Sequence, residues 1–325
     1  MARNLVDQTD IRILEKLVEN VRKGSGQMGD ELKLRRQVVD YRIRKMESNG
    51  TIIGYRMLVN LTKAGFEYRR VHVKLCSLSR KEKEDVLRFL VQHPKTVWVT
   101  DCDGRCDLMV GIISSGPYEF ERVLSDFLVR FHSIVLYYDT VHILELGTPS
   151  RDFSGTKHSR PIQGFIAGDF PAERLSDLDK KIVNELARNG RQTALEMAKK
   201  VRAEPANVNY HLKQVLRKGL VFSNIQFGYD VFGFELYKTL LYLKKPARKR
   251  IEDLKRFSGS HTRVWDYVET LGKWQFELDI ESKGHEDYYE IMDAVEDNFS
   301  DIVSSYDTIF IRKEWKFSFD VFSET

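Results

Sequence analysis

The sequence predicts an α+β fold written twice: a winged helix-turn-helix followed by a ferredoxin-like βαββαβ domain, in tandem duplication. The first observation is an internal repeat, since Asp10 aligns with Asp179 at an offset of 169 and Gly104 with Gly272 at an offset of 168. The second is the order of hydrophobic patterns in each copy, three helical stretches and then strand, helix, strand, strand, helix, strand. A repeat this long predicts duplicated domains rather than a solenoid.

The elements of copy 1 follow from local patterns. Apolar residues at helical spacing predict helices at residues 7–22, 27–33 and 36–48, and Gly50 stops the third helix. The β-rich segment after Gly50 predicts a short wing hairpin. The ferredoxin-like strands are expected near 69–76, 95–101, 106–113 and 133–144, with helices near 80–92 and 117–131. Copy 2 repeats every one of these patterns.

Domain boundaries follow from the repeat and from composition. We expect winged helix-turn-helix domains at residues 1–60 and 175–230, and ferredoxin-like domains at 61–146 and 231–325. Residues 147–174 are rich in Gly, Pro, Ser and Thr, which predicts a linker. The strands have apolar residues on both faces, so each sheet needs a cover. We expect the two sheets to cover each other, as an internal pseudo-dimer.

Composition restricts the class of protein. The 325 residues are 42% hydrophobic, and no stretch approaches the roughly 20 apolar residues of a membrane helix. Because the N-terminus also lacks the apolar core of a signal peptide, we expect a cytoplasmic protein without a membrane partner. Cys102 and Cys106 are the only cysteines close together, and ordinary thiols are favoured over a metal or redox site there. No cofactor is expected.

The net charge of +4 is mild, so a nucleic-acid partner must be argued from local clustering. Residues 33–45 hold six basic side chains and one acidic one. Val39, Ile43 and Met46 face inward, and the outer face suits the major groove. The candidate DNA-binding residues here are Arg35, Arg36, Gln37, Asp40, Tyr41, Arg42, Arg44 and Lys45. A solvated basic helix without a partner is the alternative.

The matching segment of copy 2, residues 202–214, has only two basic side chains and one acidic one. Its candidate DNA-binding residues are Asn207, Asn209, Tyr210 and Lys213. Because phosphate contacts supply most non-specific affinity, we expect copy 1 to dominate binding to double-stranded DNA. An asymmetric site, or a single strong half-site, is therefore predicted.

Each copy resembles the Lrp/AsnC, or feast/famine, family of transcription regulators. The resemblance lies in the series Asp10, Val39, Arg42-Ile43 and Gly50, and in Gly104-Arg105-Cys106-Asp107 at a strand start. It implies a DNA-binding regulator whose ferredoxin-like domains pair through their sheets, and a homo-oligomer. Two positions depart from the family, because its N-capping Ser is Arg35 in copy 1 and Glu204 in copy 2.

The same resemblance implies a small-molecule effector, often an amino acid, bound between regulatory domains. The candidate positions are Asp101, Asp103, Gly104, Asp107, Glu269, Gly272 and Trp274. The alternative is that the Asp and Gly residues form a turn and that Trp274 packs between domains.

Three functions are compatible with the sequence. A transcription regulator is favoured, and the chain is not expected to be an enzyme. Siroheme decarboxylases resemble the same build, sometimes as two fused copies, and they are the enzymatic alternative. An architectural protein that compacts DNA without a preferred site is the third possibility.

Overall fold

The computed structural model describes residues 6–153, 160–245 and 247–322. The helix-turn-helix of copy 1 comprises α1 (Gln8–Glu19), α2 (Ser25–Leu32), α3 (Arg36–Ser48) and β1 (Ile52–Val59). Its ferredoxin-like part comprises β2 (Glu67–Leu75), α4 (Arg80–Gln92), β3 (Thr96–Gly104), β4 (Leu108–Ser114), α5 (Pro117–Phe131) and β5 (Val135–Pro149). A further strand, β6 (Ile162–Ala167), precedes copy 2.

Copy 2 repeats this order. Its helix-turn-helix comprises α6 (Asp177–Arg188), α7 (Ala194–Val201), α8 (Pro205–Arg217) and β7 (Val221–Phe227), with the short α9 (Tyr229–Phe232) after it. Its ferredoxin-like part comprises β8 (Glu235–Leu243), α10 (Arg248–Ser260), β9 (Val264–Gly272), β10 (Phe276–Ser282), α11 (His285–Phe299) and β11 (Val303–Phe317). The predicted fold class is confirmed.

Both copies start with the same local device. Asp7 caps α1 and accepts from the backbone N–H of Asp10, whose own carboxylate accepts from the Asp7 N–H. Ser176 and Asp179 form the equivalent capping box on α6. Each box satisfies amide groups that the first helical turn leaves without partners, so each helix-turn-helix has a fixed first residue.

The wing differs from the sequence prediction. Instead of a hairpin within each copy, β1 pairs antiparallel with β7 of the other copy, from Val59 opposite Val221 to Ile52 opposite Phe227. The backbone N–H and C=O groups along one edge of β1 thus bond to β7, the equivalent strand of copy 2. The two helix-turn-helix domains are joined by this two-stranded wing sheet.

The ferredoxin-like sheets join into a closed barrel. Hydrogen bonding runs in the order β2, β4, β3, β11, β8, β10, β9, β5 and returns to β2, while β6 adds to β5. The two seams between copies are β3 with β11 and β5 with β9. Because these pairs are equivalent under the repeat, the barrel has pseudo-twofold symmetry, and the second face of each sheet turns toward the other sheet, as expected.

Three hydrophobic clusters hold these layers. One lies between the copy 1 sheet and its helices, and it includes Val86 and Phe127. A second, including Leu254 and Ile291, serves copy 2 in the same way. The third runs from the helix-turn-helix domains into the barrel, where it includes Trp274. The chain is thus packed as one structure across both copies.

The predicted linker is partly ordered as sheet. β5 extends to Pro149, and Ile162–Ala167 pair with it as β6, because a sheet edge was open beside β5 where these apolar residues could pack. Residues 154–159 of that linker lie outside the described residues. Among the described helices, none is both long enough and apolar enough to cross a membrane.

Candidate functional site

The outer face of α3 presents the basic segment seen in the sequence. The helix buries Val39, Ile43 and Met46, so the opposite side chains reach solvent. The exposed ones among the candidates are Arg35, Arg36, Gln37, Tyr41, Arg44 and Lys45. A helix-turn-helix places its second motif helix in the major groove, and these side chains can bond base edges and phosphates.

A tight turn sets α3 against α2. It passes through Lys33, which has a left-handed φ of 57°. A Cβ at Gly29 would lie 2.6 Å from the carbonyl oxygen of Leu34, so a larger residue would push the turn away. Arg202 repeats the left-handed conformation in copy 2, with a φ of 56°.

Arg42 is the exception among the candidates, because its guanidinium is already engaged. It pairs with Asp7 at 2.6 Å and with buried Asp10 at 2.9 Å, and its hydrogen bond lowers the pKa of Asp7. His211 and Asp179 make the same contact at 2.8 Å in copy 2. Arg42 therefore positions α3 on α1 and leaves the DNA-contact set.

Asp40 has a different part. It lies 3.6 Å from Arg36, one turn along the same helix, and the Arg36 side chain is 77% exposed and that of Asp40 37%. Such a pair contributes ~0.5 kcal/mol or less. A DNA phosphate or a base edge could therefore replace Asp40 as the partner of Arg36 at little cost.

The equivalent face of α8 is exposed but less basic. Asn207, Asn209, Tyr210 and Lys213 all reach solvent, while Val208 and Leu212 are buried. The amide and hydroxyl groups can bond base edges, but only one of the four side chains carries positive charge. The geometry of the two helices is repeated and their chemistry is not.

The predicted effector residues of copy 1 lie at or near the end of β3. In copy 1, Asp101 pairs with Lys83 at 2.7 Å, and Asp107 accepts from Lys74 and from the Leu75 backbone. Asp103 and Gly104 are the exposed last residues of β3, where they pair with Phe310 and Ile309 of β11. Asp101 and Asp107 are thus engaged within the fold.

The copy 2 positions differ in burial. Glu269 pairs with Lys255 at 2.7 Å, and Gly272 is the exposed last residue of β9. Trp274 is fully buried, and its indole N–H donates to Glu277 at 2.9 Å. Trp274 therefore belongs to the barrel interior.

The barrel interior contains an ionic cluster that the sequence-based candidates missed. Glu277 is fully buried and pairs with Arg70 of copy 1 and, at 3.1 Å, with Lys238; Lys238 also pairs with Asp279. Burial opposes ionisation of Glu277, but Lys238 and Arg70 outweigh it and lower its pKa to about 2. Charged residues within otherwise apolar strands were the available signal.

Two more acids line a small cavity of about 20 Å³ beside this cluster. Burial, and then the neighbouring charge of Asp279, raises the pKa of Asp266 to about 7. Burial also raises the pKa of Glu314 to about 7, although the Trp98 indole donates to it at 3.1 Å. Acids with a pKa near neutrality are typical of groups that exchange protons.

A pair of thiols lies in the same interior. The sulfur atoms of Cys102 and Cys106 are 3.6 Å apart, and Cys106 is 3.7 Å from Nδ1 of His72. The hydrogen bond from Cys102, aided by His72, lowers the pKa of Cys106. Among the described residues, no cluster of three or more potential ligands is arranged to hold a metal ion.

A cleft of about 560 Å³ lies where the wing sheet meets the copy 2 half of the barrel. We call it the copy 2 cleft. Its walls come from β7 and from Ile53 on one side, and from β9 and β11 on the other. Its lining includes the side chains of Arg151, Phe234, Trp265, Arg312, Lys313 and Glu314.

Copy 1 has a cleft of about 380 Å³ at the equivalent place, here called the copy 1 cleft. Phe66 and Glu67 line it as Phe234 and Glu235 line the copy 2 cleft. Its charge is opposite. Its charged side chains are the acidic Glu67, Glu145, Asp169 and Glu269 and the basic Arg248, whereas the copy 2 cleft has three basic side chains against two acidic ones.

Fold and exposed basic helix together define a class, a winged helix-turn-helix protein with paired ferredoxin-like domains. Residues 175–221 match the winged helix-turn-helix DNA-binding family. The HTH-type transcriptional regulator LrpB of Bacillus subtilis is 36% identical over 132 residues, which span 41% of this chain and 87% of LrpB. The chain belongs to the Lrp/AsnC family of transcription regulators.

A second relative agrees with this assignment. The proline dehydrogenase transcriptional activator of Rhodobacter capsulatus is 27% identical over 124 residues, covering 38% of this chain and 80% of the activator. The helix-turn-helix and both relatives support transcription regulation. Each relative matches about one copy of the present chain.

Two solved structures that align over both copies are those of an enzyme. Siroheme decarboxylase NirDL aligns with a TM-score of 0.63 and 14% identity, covering 94% of this chain and 92% of NirDL. Its complex with an iron-uroporphyrin III analogue aligns with a TM-score of 0.62 and 15% identity, covering 95% of each chain. The likeness shows a shared fold. The expectation that the chain is not an enzyme is contradicted by this full-length match.

Proposed function

We propose that the chain is a sequence-specific transcription regulator that binds double-stranded DNA mainly through α3. The observation that carries the proposal is the exposed outer face of that helix, within a helix-turn-helix whose turn and ion pairs fix its orientation. Copy 2 contributes less to DNA affinity, because only one of the four candidate side chains on α8 carries positive charge.

Individual side chains on α3 suit different contacts. Arg36 and Gln37 lie in the first turn, where recognition helices reach base edges. Arginine can grip guanine through two hydrogen bonds, and glutamine can do the same with adenine. Arg44 and Lys45 lie two turns further along, where positive charge can hold phosphates.

The first experiment selects bound sequences from random DNA at physiological salt and measures affinity for the selected site. The double variant Arg36→Ala with Arg44→Ala is expected to bind about 30-fold more weakly or worse, since each such contact contributes ~1–3 kcal/mol. Binding without a motif would support the architectural alternative.

The matched control is Arg80→Ala with Arg88→Ala. These two arginines are exposed on α4, outside the helix-turn-helix. The control removes the same charge as the test variant and is expected to retain affinity. Equal losses in the two double variants would show that net charge, and not α3, sets the affinity.

A second candidate function is favoured by the barrel interior. Asp266 and Glu314 have pKa values near 7 beside the cations Arg70 and Lys238. Decarboxylation of an acetate side chain releases CO2, leaves the bonding electron pair on carbon, and needs a proton there. A buried carboxylic acid can supply that proton, and NirDL has the same two-copy fold.

This candidate is tested by incubating the full chain with siroheme in the absence of oxygen and following the product mass. Loss of CO2 from the substrate, abolished in Glu314→Gln with the fold intact, would support it. An unchanged substrate would contradict it. The DNA selection is independent of this assay, so each candidate can fail alone.

A further inference from the structure

The copy 2 cleft is bounded by the two parts of the molecule that a regulator must connect. Ile53 of β1 and Asn224–Phe227 of β7 bring the wing sheet to one wall. Residues 310–314 of β11 bring the barrel to the opposite wall. A ligand here would contact the wing sheet and the barrel at once.

The lining has the chemistry of a ligand site. Small-molecule sites commonly occupy roughly 300–1,000 Å³ and combine apolar walls with a few placed polar groups. Phe234 and Trp265 supply apolar surface, with Arg263 over the Phe234 ring at 4.6 Å and Arg151 over the Trp265 ring at 5.0 Å. Arg312 and Lys313 supply positive charge. Arg312 has Asp103 at 3.5 Å as a half-exposed partner, and a pair of this kind is easily exchanged for a ligand anion.

A second cavity of about 260 Å³ shares Arg151, Phe234 and Trp265 with this cleft and extends it. Arg160 lines the extension and is 4% exposed. Its terminal nitrogens donate to backbone carbonyls, including that of Ser258 at 3.1 Å, while its Nε has no hydrogen-bond partner among the described residues. A buried guanidinium with an unused donor favours an anion.

The repeat supplies an internal comparison. Arg312 and Lys313 occupy the positions that Leu144 and Glu145 occupy in copy 1. The positive charge is therefore particular to copy 2 and does not follow from the fold. The two acids in the copy 2 cleft are Glu235, which accepts from the Tyr237 hydroxyl at 2.7 Å, and Glu314, which accepts from Trp98.

We propose that the copy 2 cleft binds a small organic polyanion, and that its occupancy changes DNA affinity through the wing sheet. The basic side chains hold its carboxylate or phosphate groups. The coupling rests on the proposed regulator function; the binding does not.

Calorimetry on the full chain tests the binding with two probes, iron-uroporphyrin III for carboxylates and ATP for phosphates. One equivalent of at least one probe is expected to bind, and the preferred probe identifies the anionic group. Arg312→Leu with Lys313→Glu, which installs the copy 1 residues, is expected to weaken binding about tenfold or more.

The matched control is Leu144→Arg, which adds an exposed arginine at the equivalent position of the copy 1 cleft. It is expected to leave the affinity for the probe unchanged. Failure of both probes to bind would overturn the proposal. So would equal affinity in the wild type and the Arg312→Leu, Lys313→Glu variant, provided circular dichroism shows both to be folded.

The coupling is measured as DNA affinity with and without a saturating amount of the bound probe. A change of about fivefold or more is expected, and it is expected to disappear in the Arg312→Leu, Lys313→Glu variant. Probe binding with unchanged DNA affinity would overturn the coupling. If the chain bound no DNA, the proposed regulator function would be contradicted. Calorimetry would still show whether the copy 2 cleft binds a polyanion.

Discussion

Glu277 shows at the scale of one residue how the two copies are held together. Its carboxylate belongs to copy 2, while Arg70 of copy 1 and Lys238 of copy 2 both pair with it in the barrel interior. Breaking a buried pair leaves an uncompensated charge in a medium of low dielectric constant. Neutralising one partner of the cluster is therefore expected to lower the free energy of unfolding.

Glu277→Gln is expected to reduce the free energy of unfolding by ~3–5 kcal/mol, because Arg70 and Lys238 then lose their shared counter-charge. Urea titration followed by circular dichroism measures the change. Glu290→Gln, at an exposed position of α11, is the control and is expected to stay within ~0.5 kcal/mol of the wild type. A loss below ~1 kcal/mol in Glu277→Gln would contradict this account.

Asp266 gives a second prediction at the scale of one residue, because its pKa is raised whereas that of Glu277 is lowered. Its pKa of about 7 in the fold exceeds the usual value of 3.8, so the folded state binds its proton more tightly than the unfolded state does. Its contribution to stability is complete below about pH 4 and is lost as the pH rises to about 7. The slope is at most ~1.4 kcal/mol per pH unit.

Asp266→Asn removes this titration. The stability of the variant relative to the wild type is therefore expected to rise between pH 5 and pH 8, as measured by urea titration at both values. A difference between variant and wild type that is equal at the two pH values would show that Asp266 is not protonated in the fold near neutrality.

The candidate residues could be predicted from sequence only where one helix decides their exposure. Periodicity placed Arg36, Gln37 and Arg44 on the outer face of α3, because a single helix fixes which side chains point together. It misassigned Arg42, whose partner Asp10 lies 32 residues away on another helix. The interior cluster was missed for the same reason, since it joins strands that are distant in sequence.

At the scale of elements, the repeat predicted the helices and strands well. α4 at Arg80–Gln92 and α10 at Arg248–Ser260 fall at the offset of 168 seen in the sequence, and α3 and α8 fall at 169. The prediction of a wing hairpin within each copy was wrong, because the free backbone groups of an edge strand can bond to any compatible strand. Here β7 of the other copy took that place.

The strand β6 ties the end of copy 1 to the wing sheet, through a close approach of Gly164 to the Phe222 ring. A Cβ at Gly164 would overlap that ring. Gly164→Ala is therefore expected to lower the free energy of unfolding by ~1–3 kcal/mol, the usual range for overpacking. Differential scanning calorimetry or urea titration measures it.

Gly26→Ala is the matched control for this substitution. Gly26 lies in α2, and no other atom would lie within 4 Å of an added Cβ. Alanine is the better helix former, so a gain of up to ~1 kcal/mol is expected. If both variants lost similar stability, the contact between Gly164 and Phe222 would not be the cause.

At the scale of the whole molecule, the barrel joins two copies that share a fold and differ in charge. The seams β3 with β11 and β5 with β9 hold both helix-turn-helix domains in one pseudo-symmetric frame. A symmetric dimer would read two identical half-sites. In that frame, residues 33–45 hold six basic side chains and one acidic one, whereas residues 202–214 hold two basic and one acidic. The selected DNA is therefore expected to contain one strong half-site.

The asymmetry can be removed by substitution, which gives the sharpest test of its origin. Pro205→Arg, Ala206→Gln and Gln214→Lys together install on α8 the residues that α3 carries as Arg36, Gln37 and Lys45. Since the frame is pseudo-symmetric, selection from random DNA is expected to return a second, inverted half-site for this variant. Glu296→Gln with Asp297→Asn raises the net charge equally, away from the helix-turn-helix, and is expected to keep the single half-site. If the triple variant also kept it, the frame and not the helix chemistry would set the asymmetry.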